Sequence, residues 1–182
     1  SAQKSFIKIA KDNNIEVDVL ISKKLNDVKD STHIVLPGQG AFSTCMNGLK
    51  KTDGLIDELC EFALIKKKPF LGICVGMQML AKMSEENGDH EGLGWIDGQI
   101  KLLPGDNLKL PHMGWNLVIP TNSKNNNLIS TKNDYYFVHS YYFECADKDN
   151  ILAETKYGIN FASIVGKENI YGVQFHPEKS SS

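Results

Sequence analysis

No stretch of this sequence reaches the roughly eighteen apolar residues that a membrane-spanning helix needs, and its start lacks the shape of a secretory leader. An excess of one charge is also missing. The 20 Lys and Arg stand against 22 Asp and Glu, a net −2, which leaves no electrostatic footprint for nucleic acid or an anionic membrane. Cysteine is sparse: Cys45, Cys60, Cys74 and Cys145, with no Cys-x-x-Cys pair and no histidine at finger spacing. Zinc frameworks are therefore excluded, no metal is expected, and scattered thiols fit a reduced, cytoplasmic setting. Cys45, Cys60 and Cys145 read as buried or incidental thiols. No phosphate-binding glycine fingerprint occurs, so no cofactor is expected. Repeats and linkers are absent as well, and 41% hydrophobic residues in 182 suit one domain with a substantial core.

The apolar patterning predicts an α/β fold. Phe6, Ile9 and Ala10 place a helix over Ala2 to Asn13, and Val17, Val19 and Ile21 alternate as a strand over Ile15 to Ile21. A polar segment leads to an apolar strand, His33 to Leu36, broken by Pro37-Gly38-Gln39-Gly40. Helices are expected over Phe42 to Leu49 and Gly54 to Ile65, then a buried strand at Pro69 to Ile73 and a helix from Met77 to Met83. Ser84 to Gly94 reads as a loop. Further strands follow at Trp95–Leu103, Trp115–Pro120, Tyr135–Val138, Ile151–Thr155, Phe161–Val165 and Ile170–Phe175. Alternating apolar strands and helices imply a parallel sheet covered on both faces, with its site at the strand C-termini. The later strands extend it in antiparallel fashion.

Cys74 sits between the buried strand and the helix after it, with Gly72 and Gly76 two residues to either side. Gly-x-Cys-x-Gly is the thiol form of a nucleophile elbow, where strand and helix approach too closely for a side chain on either flank. A helix N-terminus at this point is expected to lower the thiol's pKa. A buried core cysteine is the plain alternative. Far along the chain, the strand ending at Phe175 runs into His176-Pro177-Glu178-Lys179-Ser180. A thiol nucleophile needs a base, and the base needs a carboxylate to fix its tautomer; His176 and Glu178 can supply both from one turn.

These two motifs resemble those of the class I, triad-type glutamine amidotransferases. Leu36 to Phe42 is similar to that family's oxyanion loop, although Gln39 stands where an apolar residue is commoner. Pro111 to Asn116 and Tyr136 to Tyr141 resemble the branch that forms the glutaminase subunit of imidazole glycerol phosphate synthase. The resemblance implies a flavodoxin-like open, mostly parallel twisted sheet with helices on both faces and an antiparallel strand-rich extension. It implies hydrolysis of L-glutamine by a triad of Cys74, His176 and Glu178. Val75 and the Gly38-Gln39-Gly40 backbone would form the oxyanion hole, and Gln78, Ser140 and Tyr141 would hold glutamine.

Since free ammonia protonates in water, the resemblance also implies a heterodimer with a cyclase/synthase subunit of (β/α)8-barrel fold. His112, Met113, Trp115, Tyr136 and Lys179 would face that partner, and His139 would be structural or interfacial. A related glutaminase serving a synthase that aminates surface sugars, and a catalytically silent binding subunit, stay open as alternatives. Both ends depart from the family pattern, which opens with a first strand and closes with a helix. Residues 1–182 are accordingly expected to be a single domain trimmed at both ends.

Overall fold

A computed structural model of the chain describes residues 2–105 and 107–179. Helices α1 (Ala2–Asp12) and α2 (Leu25–Asp30) precede strand β1 (Ile34–Gly38). Helix α3 (Phe42–Lys50) and α4 (Leu55–Cys60) follow, the latter continued by a π-helical turn, Glu61–Ile65. Strand β2 (Phe70–Cys74) then passes directly into the short helix α5 (Val75–Gln78). The remainder is mostly strand: β3 (Met83–Ser84), β4 (His90–Glu91), β5 (Gly98–Leu102) and β6 (His112–Pro120). After them come β7 (Asn133–His139), β8 (Tyr141–Cys145), β9 (Ile151–Tyr157), β10 (Ile159–Lys167) and β11 (Ile170–Val173). A 3-10 turn, Pro177–Lys179, closes the described chain.

Main-chain pairing runs in the order β1-β2-β11-β10-β8-β5-β3-β4, with β9 on β10, β6 on β9 and β7 on β6. The mixed sheet has a parallel core of β1, β2 and β11, where Gly38 lies opposite Cys74 and Ile73 opposite Val173. Four of the five residues of β2 are buried, with no in–out alternation, as befits a strand covered on both faces. Because these strands run the same way, their C-terminal ends bring Gly38, Cys74 and the approach to His176 to one edge. Phe42, Phe62, Phe70, Phe137, Phe143 and Phe161 fill the core around them.

Several expected elements differ. Residues 15–21 form no strand: β1 is the outer strand of the sheet path, none of the described strands pairs with its free edge, and Ile21 is 80% exposed. Alternation alone does not hold a strand without a ladder partner. Pro37 and Gly38 do not break β1 but extend it, since Pro37 pairs opposite Ile73 and tolerates an edge position. The helix after Cys74 starts at Val75 and stops at Gln78; Leu80 and Ala81 turn back through bonds to the Met77 and Gln78 carbonyls (both 3.0 Å). Met77, Leu80 and Ala81 are all fully buried, but by tertiary packing and not by one helical face. The segment Ser84 to Gly94 is partly ordered, since β4 lies within it and pairs with β3 at its start; α2 lies in the polar segment, and β8 is an additional strand.

Candidate active site

Cys74 occupies φ 55°, ψ −113°, a region that costs a non-glycine residue energy and persists only where packing enforces it. Close approach of the main chain supplies that enforcement. A Cβ on Gly76 would lie 1.8 Å from the Leu36 carbonyl oxygen, and one on Gly72 would lie 2.5 Å from that of Gly76. A Cβ on Gly38 would likewise lie 2.7 Å from the Gly76 nitrogen. Strand β1, the elbow and α5 thus fit only because these positions lack side chains.

The thiol itself is buried, and burial pushes it up to about 11, against the lowering effect of the Val75 N–H. This reverses the expectation from the helix terminus. A four-residue helix aims too small a dipole at the sulfur to offset its desolvation. The Cys74 thiol donates to the Val138 carbonyl (3.9 Å), and the sulfur accepts from Gln174 Nε2 (3.8 Å).

His176 reaches the same place from β11. Its backbone N–H donates to the Tyr136 carbonyl (2.9 Å), and Lys179 N–H closes the turn onto the His176 carbonyl (3.0 Å). Within that turn His176 Nδ1 is 3.0 Å from Glu178 Oε1, with both side chains largely enclosed. A carboxylate can only accept, so Nδ1 carries the proton and Nε2 is the basic nitrogen. Ser180, which ends the motif, lies outside the described residues.

Cys74, Val75, Gln39, Gly40, Gln78, Ser140, Tyr141, His176 and Lys179 line one cavity of about 360 Å³. Gly40 has φ +99°, a conformation that suits glycine, and the Gln39 carbonyl accepts from the Cys45 thiol (3.5 Å). Gln78 is 3% exposed: its Nε2 donates to the Tyr141 carbonyl (3.1 Å) and to Gln174 Oε1 (3.0 Å). The Ser140 carbonyl accepts from Leu103 N–H (2.9 Å), tying the wall to the strand region beside it.

The five residues assigned to a partner-facing surface divide. Met113 and Trp115 are 61% and 57% exposed on β6, and the Trp115 ring meets Tyr136 edge-on at 6.0 Å. Lys179 Nζ lies over the Tyr136 ring, 5.6 Å from its centre. His112 does not share this surface. It is buried, stacked between Phe137 and Tyr157, because strand alternation turns it inward from Met113.

Asn116 Nδ2 donates to His112 Nε2 (3.1 Å), so His112 carries its proton on Nδ1 and passes it towards His139 Nε2 (2.9 Å). His139 Nδ1 in turn donates to the Tyr141 carbonyl (2.8 Å). Burial lowers both rings, to about 4 for His112 and about 3 for His139.

The glutamine amidotransferase class-I family matches residues 2–182. The chain belongs to that family. Among curated relatives, the imidazole glycerol phosphate synthase subunit HisH of Pelagibacter ubique is 46% identical over 179 residues, covering 97% of this chain and 85% of its own. The HisH subunit of Rhodospirillum rubrum is 42% identical over 186 residues, covering 100% and 87%. A solved glutamine amidotransferase superposes with a TM-score of 0.69 at 16% identity, covering 96% of this chain and 85% of that one. Another, from Thermotoga maritima, gives 0.63 at 21%, covering 95% and 69%. These structures share the class-I amidotransferase fold.

Gln174 and Val138 are neighbours of Cys74 that the sequence motifs do not single out. For Gln174 a signal existed: it is the one amide in the otherwise apolar run from Val173 to Phe175, just before His176. It is 0% exposed. Val138 contributes only its carbonyl, which no side-chain pattern reports.

Proposed function

We propose that this class-I amidotransferase is the glutaminase subunit of imidazole glycerol phosphate synthase, hydrolysing L-glutamine to glutamate and ammonia. The observation that carries the reading is the meeting of Cys74, in its enforced elbow, with the Glu178-bonded His176 in one cavity. His176 Nε2 takes the thiol proton as the sulfur attacks the amide carbon, forming a tetrahedral intermediate. Collapse to a γ-glutamyl thioester expels ammonia, which receives that proton from His176. Water then hydrolyses the thioester, with His176 again as base, and glutamate leaves. Glu178 holds the ring's tautomer and supports its charge.

The developing oxyanion is met by Val75 N–H and a backbone N–H of Gly38-Gln39-Gly40. Each such donor contributes about 100- to 1,000-fold in rate. Both Gln78 amide protons are engaged internally, so Gln78 meets the substrate's α-amino group through Oε1, beside the Ser140 and Tyr141 backbone.

The partner is a (β/α)8-barrel subunit that receives ammonia and makes imidazole glycerol phosphate and aminoimidazole carboxamide ribotide. Exposed Met113 and Trp115 beside Tyr136 and Lys179 support a docking face close to the cavity mouth, which Lys179 also lines. The test is glutamate release by the full chain alone, with the barrel subunit, and with its nucleotide ligand added. Release that rises strongly on addition and vanishes in Cys74→Ala supports the proposal. A folded complex that releases no glutamate, and whose Cys74 resists a glutamine-like diazo-ketone, overturns it.

A further inference from the structure

Gln174 is a fully buried amide with no part in the scheme above. A glutamine side chain enclosed this way is costly unless both of its ends are hydrogen-bonded. Its orientation is dictated from outside. The Tyr141 carbonyl can only accept, so it fixes the Gln78 nitrogen. The second Gln78 proton goes to Gln174 Oε1 (3.0 Å), which leaves Gln174 Nε2 aimed at the Cys74 sulfur (3.8 Å). The Gln174 backbone is equally fixed, since its N–H donates to the Ser163 carbonyl (2.9 Å). Gln174 therefore enters the site on the same strand exit as His176, two residues earlier.

We infer that Gln174 is a positioning residue for the nucleophile, its amide donating to the Cys74 sulfur as negative charge develops there. The inference rests on the proposed role of Cys74. In the resting thiol, the Val138 carbonyl accepts the S–H; that carbonyl offers nothing to a thiolate. A thiolate keeps only donors, Val75 N–H and Gln174 Nε2 beside the His176 Nε2 that has taken its proton, and hydrogen bonds to an ionised acceptor are roughly twice as strong as neutral ones. The remaining titratable groups facing Cys74 are His176, Glu178 and Lys179 from the final turn, Cys45 from α3, and Glu86, His139 and Tyr141 on the cavity wall.

Gln174→Glu retains an acceptor for Gln78 and replaces the donor to sulfur by an oxygen. Gln174→Asn keeps the amide but withdraws it by one methylene. The measurement is the rate of iodoacetamide alkylation of Cys74 in the full chain against pH, followed by peptide mass spectrometry with Cys60 as internal reference. Both variants are expected to displace the Cys74 profile upward by about one pH unit, slowing alkylation about tenfold at a given pH, with Cys60 unchanged. A folded variant with an unmoved Cys74 profile overturns the inference.

Should neither variant fold, the unmodified protein decides. The Gln174 side-chain amide proton resonance moves downfield as Cys74 ionises if it donates to the thiolate, and a stationary resonance refutes the role. Alkylation needs neither glutamine nor partner, so failure here is distinct from failure of the glutaminase reading.

Discussion

His176 Nδ1 stands 3.0 Å from Glu178 Oε1 across a single turn, a contact made by two residues that Pro177 alone separates. The carboxylate sets which imidazole nitrogen faces the cavity. His176→Asn is therefore expected to lower glutamate release by about 100- to 10,000-fold in the presence of the barrel subunit. Glu178→Gln should cost less, because the ring remains. Equal losses in the two variants would contradict this division of labour.

Glycine substitutions should separate steric necessity from helix propensity. Gly76→Ala pushes a methyl into the Leu36 carbonyl and is expected to destabilise by about 3 kcal/mol or more in urea denaturation. Gly48, within α3, has nothing within 4 Å of its added Cβ. Gly48→Ala should thus stabilise by about 0.5–1 kcal/mol. A Gly76→Ala protein as stable as the parent would refute the close-packed elbow.

The His112–His139 pair predicts acid sensitivity. Burial holds both rings below their ordinary value of 6.5, to about 4 and about 3, so the unfolded chain binds protons that the folded chain refuses. Their neutral forms stabilise the fold fully above 6.5, and this is lost as pH falls through the folded values. Between those limits each ring contributes about 1.4 kcal/mol of lost stability per pH unit. Imidazole carbon shifts should stay neutral for both rings at about pH 5. Protonated shifts there would show that the relay is misread.

For Cys74 the sign is opposite in origin. Burial raises an acid, to about 11, so the thiol stays protonated at neutral pH without substrate. Its alkylation in the isolated chain is expected to run at least about 100-fold slower than that of free cysteine at neutral pH. The rate should climb about tenfold per pH unit up to that value. Fast neutral alkylation would mean the cavity is wetter than its geometry implies.

Trp115→Ala should weaken binding of the barrel subunit by about 2 kcal/mol, roughly thirtyfold, with the thermal midpoint unchanged, because the ring is 57% exposed. Calorimetric titration checks the affinity and scanning calorimetry the midpoint. A fall in stability without loss of affinity would return Trp115 to the fold.

Much of the site was legible because its chemistry is written locally. Gly72, Cys74 and Gly76 spell out the elbow within five residues, and His176 and Glu178 share one turn. The helices over α3 and α4 and most strand cores also follow from apolar periodicity. Legibility ended where pairing or burial decided. The alternation over residues 15–21 found no ladder, α5 closed after one turn, and His112 turned inward while Met113 faced out.

The sequence by itself determined which residues could do chemistry: a thiol held between two glycines at a strand-to-helix elbow, and an imidazole carrying its own carboxylate. Only the tertiary structure decided that the two line one cavity, since β2 ends at Cys74 and its parallel neighbour β11, far along the chain, leads out to His176. It also decided that burial raises the thiol's pKa and that Gln174 is aimed at it. Desolvation and hydrogen-bond direction depend on every neighbour a fold brings together, and no spacing of letters along the chain records them.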